Sequence, residues 1–145
     1  MKNLLFVLLF TISGYTQAEA YVGFAQGIHL NGEEINDSHP YVGLQYKNVG
    51  ILSYVNSFGI VGFAPYYEFS SDRLPLIFSL KLGLTTGYNP KMRYGDHTYS
   101  LDRRFFFSDK IMLFAVPGIS MRYEGTSLDL TLLGDSVNMG VTLRF

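Results

Sequence analysis

The sequence contains no cysteine. A disulfide framework, thiol chemistry and Cys-based metal sites are thereby excluded together, and so is a lipoprotein leader. Charge of one sign is also missing. Eleven basic against twelve acidic side chains leave a formal net charge of −1, so no global field points to nucleic acid as a partner. Gly-rich phosphate loops are absent. His39 and His97 stand in no metal-ligand spacing with each other or with His29, and neither a metal nor a cofactor is expected. After the first twenty residues no apolar run reaches the ~18 residues that a membrane-crossing helix needs.

Those first twenty residues read separately. Lys2 gives a positive start, and Leu4 to Ile12 is an apolar run too short to span a bilayer. Ala18-Glu19-Ala20 is a small-residue cleavage site. Residues 1–20 are therefore expected to be a secretory signal peptide. The domain expected is residues 21–145, exported and stable without cross-links.

What is present is apolar (48%), aromatic (16%) and glycine-rich (15 Gly). The chain ends Val137-Asn138-Met139-Gly140-Val141-Thr142-Leu143-Arg144-Phe145. Every odd position is apolar and every even one polar or glycine, which is a strand with one greasy and one wet face. A final amphipathic strand closing on Phe resembles that of bacterial outer-membrane β-barrels. Seven further strands precede it, near Tyr21–His29, Tyr41–Lys47, Ile51–Ser57, Ile60–Phe69, Leu76–Thr85, Lys110–Tyr123 and Ser127–Leu133. The facing of the third is ambiguous, because Leu52 and Tyr54 compete with Ile51 and Val55. Pro65 and Pro117 sit inside strands, where a residue without an N–H marks a bulge or weak pairing.

The expected fold is all-β, an eight-stranded antiparallel transmembrane β-barrel of outer-membrane type. Alternation alone does not tell inside from outside. The lumen of eight strands is narrow and would take the Gly and Ala face, which turns the large Leu and Phe side chains to lipid. A soluble lipid-binding barrel is the alternative. With both termini on the periplasmic side, connections near 30–40, 57–60, 86–109 and 134–136 face outward. Those near 48–50, 70–75 and 124–126 face the periplasm.

This topology puts His29, ending strand one, and Ser57, ending strand three, at the same rim. Neighbouring strands lie ~4.8 Å apart. A Ser hydroxyl needs an adjacent base to become a nucleophile, and a His base needs a third group to hold its tautomer. His29, Ser57 and Asn56 could be the catalytic parts. Equally, Asn56-Ser57 could simply begin a turn, which both residue types favour.

Several strings bear on this choice: Gly27-Ile28-His29, Ser38-His39-Pro40-Tyr41-Val42-Gly43, Ser53-Tyr54-Val55-Asn56-Ser57-Phe58, Leu82-Gly83-Leu84-Thr85-Thr86-Gly87 and Val116-Pro117-Gly118-Ile119-Ser120. In that order, and with the terminal Phe, they resemble the outer-membrane lipid A palmitoyltransferases and their phage-encoded relatives. The resemblance spans most of residues 21–145. It implies an acyl chain held in the upper lumen and a palmitoyl group moved from a phospholipid donor to a lipid A acceptor. His29 and Ser57 would match the family's essential His and Ser. Asn56 departs from the family's Asp, and in a serine-protease triad the same change costs ~10⁴ in rate. The family's N-terminal amphipathic helix is missing. Pro40 and Pro117 match positions where broken pairing admits lipid sideways.

Tyr66, Glu68, Lys81 and Arg122 are candidates either for a pocket floor or for a salt-bridged core. Lys91, Arg93, Arg103 and Arg104 in the long loop could meet lipid phosphates or be a solvated, charge-mixed face. Phe105-Phe106-Phe107 reads as an interfacial anchor. The expected partners are outer-membrane lipids, and the chain is expected to act as a monomer. Besides acyl transfer, two readings stand: an acyl hydrolase of lipid A, and a non-enzymatic barrel for adhesion, shielding or phage exclusion through loop 86–109.

Overall fold

The structure, a computed structural model, describes residues 18–30, 35–71, 75–133 and 136–145. The predicted leader up to residue 17, most of the turn after Ser70 and the Gly134-Asp135 turn lie outside the described residues. Eleven strands are present among those described: β1 (Ala18–His29), β2 (Ser38–Tyr46), β3 (Val49–Val55), β4 (Val61–Ser70), β5 (Leu76–Thr85), β6 (Lys91–Tyr94), β7 (His97–Ser100), β8 (Phe106–Ser108), β9 (Ile111–Tyr123), β10 (Thr126–Leu133) and β11 (Ser136–Arg144). Eight of them, β1–β5 and β9–β11, pair antiparallel in a ring. β9 pairs with β10, and β11 returns to β1 from Tyr21↔Arg144 to His29↔Ser136. The barrel is closed, as the sequence predicted.

Its polarity is inverted relative to a soluble protein. Among the described residues the buried side chains are mostly polar, including His29, His39, Asn56, Glu68, Ser127 and Thr142. The outer wall is large and apolar: Phe24, Phe63, Phe69, Phe78, Leu130 and Val141 are exposed. On β11 the alternation is read out directly, with Asn138 4% and Thr142 3% exposed against Met139 at 61%. An apolar surface this continuous needs a lipid solvent, so the soluble-barrel alternative fails.

Pairing settles β3. Leu52 and Tyr54 line the lumen and Gly50 is buried with them, whereas Ile51 is exposed. The turn before β3 falls one residue earlier than expected. Tyr46 pairs with Val49, and Lys47 takes φ 53° in a two-residue hairpin loop. A second such loop has Glu124 at φ 42°. The predicted long loop is more ordered than its composition suggested. β6 and β7 form a hairpin about Gly95 at φ 57°, and Asp102 caps a 3-10 turn at Arg103–Phe105.

The lumen is filled by a pairing of tyrosines with glycines. Tyr21 stands opposite Gly43, Tyr41 opposite Gly23, Tyr66 opposite Gly50 and Tyr54 opposite Gly62. Each ring packs close against its partner glycine, so a Cβ at Gly43 would sit 2.3 Å from the Tyr21 ring. Glycine is required there for close approach. The Tyr21 hydroxyl donates to Tyr66 (2.8 Å), which donates to Gln45 Oε1 (2.9 Å). Lys81 meets Glu68 at 3.6 Å, and Arg144 lies over the Tyr21 ring. Tyr41 donates to Thr142, which donates to Asp129. This network is the floor of the upper lumen. Arg122, expected to share in it, is exposed instead, because its strand position lies beside the Glu124 turn.

Three prolines each end a ladder. The β2–β3 pairing stops at Tyr41↔Tyr54, one residue short of Pro40. The β9–β10 pairing stops at Thr131↔Gly118, one residue short of Pro117. The β4–β5 pairing stops at Tyr66↔Gly83, next to Pro65, and resumes only as the Phe63–Thr86 exchange. A missing N–H on one side of each strand accounts for all three.

Candidate active site

The register builds the site. The Gly27 N–H donates to the Asp37 carbonyl (2.7 Å), continuing the β1–β2 pairing beyond Gln26↔Ser38. Asp37 therefore stands opposite Gly27. His29 lies two residues along on the same inner face, so the two side chains are diagonal neighbours. The His29 Nε2 is 3.7 Å from Asp37 Oδ1. That is beyond hydrogen-bond range but within reach of an ion pair. The imidazole side chain is only 4% exposed, and the carboxylate, at 45%, opens to solvent.

Ser57 follows β3 at the same end. Its carbonyl accepts from the Asn36 N–H (2.8 Å), and Asn36 Nδ2 donates to the Asn56 carbonyl (3.2 Å). The segment carrying Asp37 is thus stitched to the one carrying Ser57. His29 and Ser57 border one outer cleft, together with Ile35, Phe58 and Tyr88. Tyr99 of the β6–β7 hairpin stacks edge-on against Phe58, with centroids 5.5 Å apart, and roofs part of the cleft.

Asn56 is held by backbone groups on both ends of its amide, the geometry of the turn reading. Its Oδ1 accepts from the N–H groups of Phe58 (2.9 Å) and Ile60 (3.0 Å), and its Nδ2 donates to the Gly87 carbonyl (2.7 Å). It holds the β3–β4 turn against the strand-five connection. Asp37 stands beside His29, and sequence reasoning left it in a polar loop. The signal available was its place one residue before strand two, on the inward parity of His39 and Tyr41.

Below the cleft lies a luminal cavity of about 150 Å³. Leu52, Ala64, Phe114, Val116 and Leu133 give it a largely apolar wall, His39, Asn56, Thr85 and Asn138 line it toward the outer end, and Tyr21, Lys81 and Arg144 line it toward the other. Outside the cleft, Arg104 forks onto Asp102 and Arg103 meets Asp109 at 3.0 Å. The Arg104 guanidinium holds the Asp102 carboxyl down at about 2. Those two arginines are committed to loop carboxylates, the charge-mixed arrangement. Phe105 and Phe107 are exposed.

Closure, strand number and inverted polarity define an outer-membrane-type β-barrel of eight strands. No family model matches the sequence, and no curated protein matches it. Among solved structures, the chain is similar to the crystal structure of Neisserial surface protein A. The identity is 15% and the TM-score 0.42, over 88% of this chain and 96% of that one.

Proposed function

We propose that the protein resides in the bacterial outer membrane as a lipid A acyltransferase-like enzyme. It moves an acyl chain from a phospholipid donor to a lipid A acceptor. Ser57 is the nucleophile, His29 the base, and Asp37 the group that orients and charge-balances the imidazole. The observation that carries this reading is that His29 and Ser57 border one cleft above an apolar well, with the Asp37 carboxylate beside the imidazole.

In the first step Ser57 Oγ attacks the donor ester carbonyl while its proton passes to His29. The glycerol C–O bond breaks, and the leaving alkoxide takes that proton. In the second step a lipid A hydroxyl attacks the acyl-serine, gives its proton to His29, and Ser57 Oγ is restored as the ester bond breaks. With water in place of lipid A, the same steps hydrolyse the chain. The ladders ended at Pro40 and Pro117 supply lateral openings in the wall for lipid.

The size of the well modifies the substrate and also favours a second reading. A cavity of about 150 Å³ takes a benzene-sized guest, less than the ~300–1,000 Å³ of common ligand pockets. As an enzyme, the protein should therefore use chains much shorter than palmitoyl. A lumen so full equally suits a non-enzymatic barrel presenting its β6–β7 hairpin for adhesion, shielding or phage exclusion.

Mass spectrometry of lipid A from cells expressing the protein separates these. One added acyl mass, absent with His29→Ala and Ser57→Ala variants that still reach the outer membrane, supports transfer. Loss of an acyl chain moves the reaction to hydrolysis. Unchanged lipid A with the inserted wild type moves the reading to the non-enzymatic barrel.

A further inference from the structure

The β6–β7 hairpin has two unlike faces. Cross-strand partners share a face, and neighbours along a strand alternate. Met92 pairs with Tyr99 and Tyr94 with His97 on one face. That face is docked: Met92 is 2% exposed, and Tyr99 lies against Phe58. Lys91 pairs with Ser100 and Arg93 with Thr98 on the other face, and all four are exposed. Two cations about 6.8 Å apart along the strand thus stand beside two hydroxyls. Among the described residues neither cation is ion-paired, whereas Arg103 and Arg104 are held by Asp109 and Asp102. The hairpin's own carboxylate, Asp96, sits in its turn.

This face adjoins an apolar groove on the outer wall. Leu82 pairs with Ala115, and Leu84 with Leu113, on the lipid side of β5 and β9. These four line the outer cleft together with Leu101 and Phe105, and Thr98 and Ser100 line the same cleft. The cleft spans about 1,420 Å³, more than the ~300–1,000 Å³ of small-molecule pockets. A lipid-facing groove that ends in paired cations and hydroxyls fits an amphiphile with an anionic head. A phosphomonoester carries roughly −1.5 to −2 charges at pH 7, which matches two cations. Arg takes such a group bidentately and Lys as a point charge. A zwitterionic head would bring an ammonium against both. We infer that Lys91 and Arg93, with Thr98 and Ser100, bind a phosphomonoester of lipid A while an acyl chain lies on the Leu82, Leu84 and Leu113 wall. This rests on the proposed reading of lipid A as the acceptor, but not on the Ser57 chemistry.

The test is binding, not turnover. The refolded full barrel in detergent micelles is mixed with one lipid at a time, and the lipid-bound fraction is read by native mass spectrometry. The lipids are lipid A, enzymatically dephosphorylated lipid A, phosphatidylglycerol and phosphatidylethanolamine. Lipid A should bind most tightly. A basic side chain at an anionic surface contributes about fivefold in affinity, so Lys91→Gln with Arg93→Gln should bind lipid A about 25-fold more weakly. Arg103→Gln with Arg104→Gln removes the same charge and should change affinity less than threefold. Ala115→Phe, which fills the groove and leaves the hairpin alone, should also weaken binding. Equal loss in the two double variants would overturn the site in favour of a diffuse charge effect. Equal binding of dephosphorylated lipid A or of phosphatidylethanolamine would overturn the phosphate contact, and equal binding of phosphatidylglycerol would overturn lipid A as its source. Selective binding with unchanged lipid A in cells would leave this site standing and remove the transferase alone.

Discussion

Gly43→Ala should destabilise the barrel, although the substitution normally helps a strand. Replacing Gly by Ala at an unstrained position gains about 0.4–1 kcal/mol by restricting the unfolded chain. Here the new methyl would lie 2.3 Å from the Cζ and hydroxyl of Tyr21. The ring has nowhere to go. Its hydroxyl is bonded to Tyr66 at 2.8 Å, and the Arg144 guanidinium lies 5.7 Å from its centroid. Overpacking costs about 1–3 kcal/mol, and a displaced, unpaired buried hydroxyl adds about 1–3 kcal/mol. The net loss should be about 3 kcal/mol. Urea titration of the refolded protein in micelles, read by the gel mobility of folded and unfolded forms, measures it. The double variant Gly43→Ala, Tyr21→Ala should cost less than the sum of the singles by about 1–3 kcal/mol, because the clash is gone. A neutral or stabilising Gly43→Ala, or strict additivity, would refute the tyrosine-on-glycine account of the lumen.

Other consequences follow from the same geometry. Lys81→Met leaves the 8%-exposed Glu68 carboxylate without its 3.6 Å partner and should cost about 3–5 kcal/mol, most of it recovered by adding Glu68→Gln; chemical denaturation checks both. Leu130→Arg on the lipid face should cost about 2–4 kcal/mol near the midplane, whereas Ser79→Arg on the luminal side of β5 should fail by overpacking instead; insertion into vesicles distinguishes the two. Asp102 is held down at about 2 by Arg104. A lowered folded pKa stabilises above the unfolded value, so its cap on the 3-10 turn should persist at pH 4 and be lost as pH falls through about 2. Carboxyl NMR titration reads this directly, and an Asp102 midpoint near 4 would contradict it.

The alternation of residues 137–145 was enough to give a strand and the residues that share each face, because a period of two is a local property; which face turns inward followed from the narrowness of an eight-stranded lumen. Leu76–Thr85 was legible for the same reason. Asp37 was not: it sits in a polar stretch, and only the Gly27–Asp37 register makes it a neighbour of His29. Asn56 could not be assigned from its type, since an amide beside a Ser suits a turn and a catalytic pair alike. Its bonds to the Phe58 and Ile60 N–H groups are local and suit a turn, but the bond to the Gly87 carbonyl spans 31 residues and depends on the fold. The Tyr–Gly pairs are written in the sequence as residues, yet which Tyr covers which Gly depends on register. The β6–β7 hairpin had a local signal in Tyr94-Gly95-Asp96, flanked by Lys-Met-Arg and His-Thr-Tyr, but the surrounding charge obscured it.

The most direct test of the proposed chemistry uses the purified, refolded barrel in mixed micelles containing a short-chain phospholipid and lipid A. The quantity is the initial rate of acyl loss from the phospholipid for the wild type, His29→Ala, Ser57→Ala and Asp37→Asn. A general base contributes about 10²–10⁴-fold, so both alanine variants should fall by at least ~100-fold, to background. Asp37→Asn should keep a measurable but reduced rate, because its carboxylate is half exposed and 3.7 Å from the ring. Wild-type activity at background, or activity unchanged by His29→Ala and Ser57→Ala, would contradict the assignment of this cleft as an acyl-transfer site.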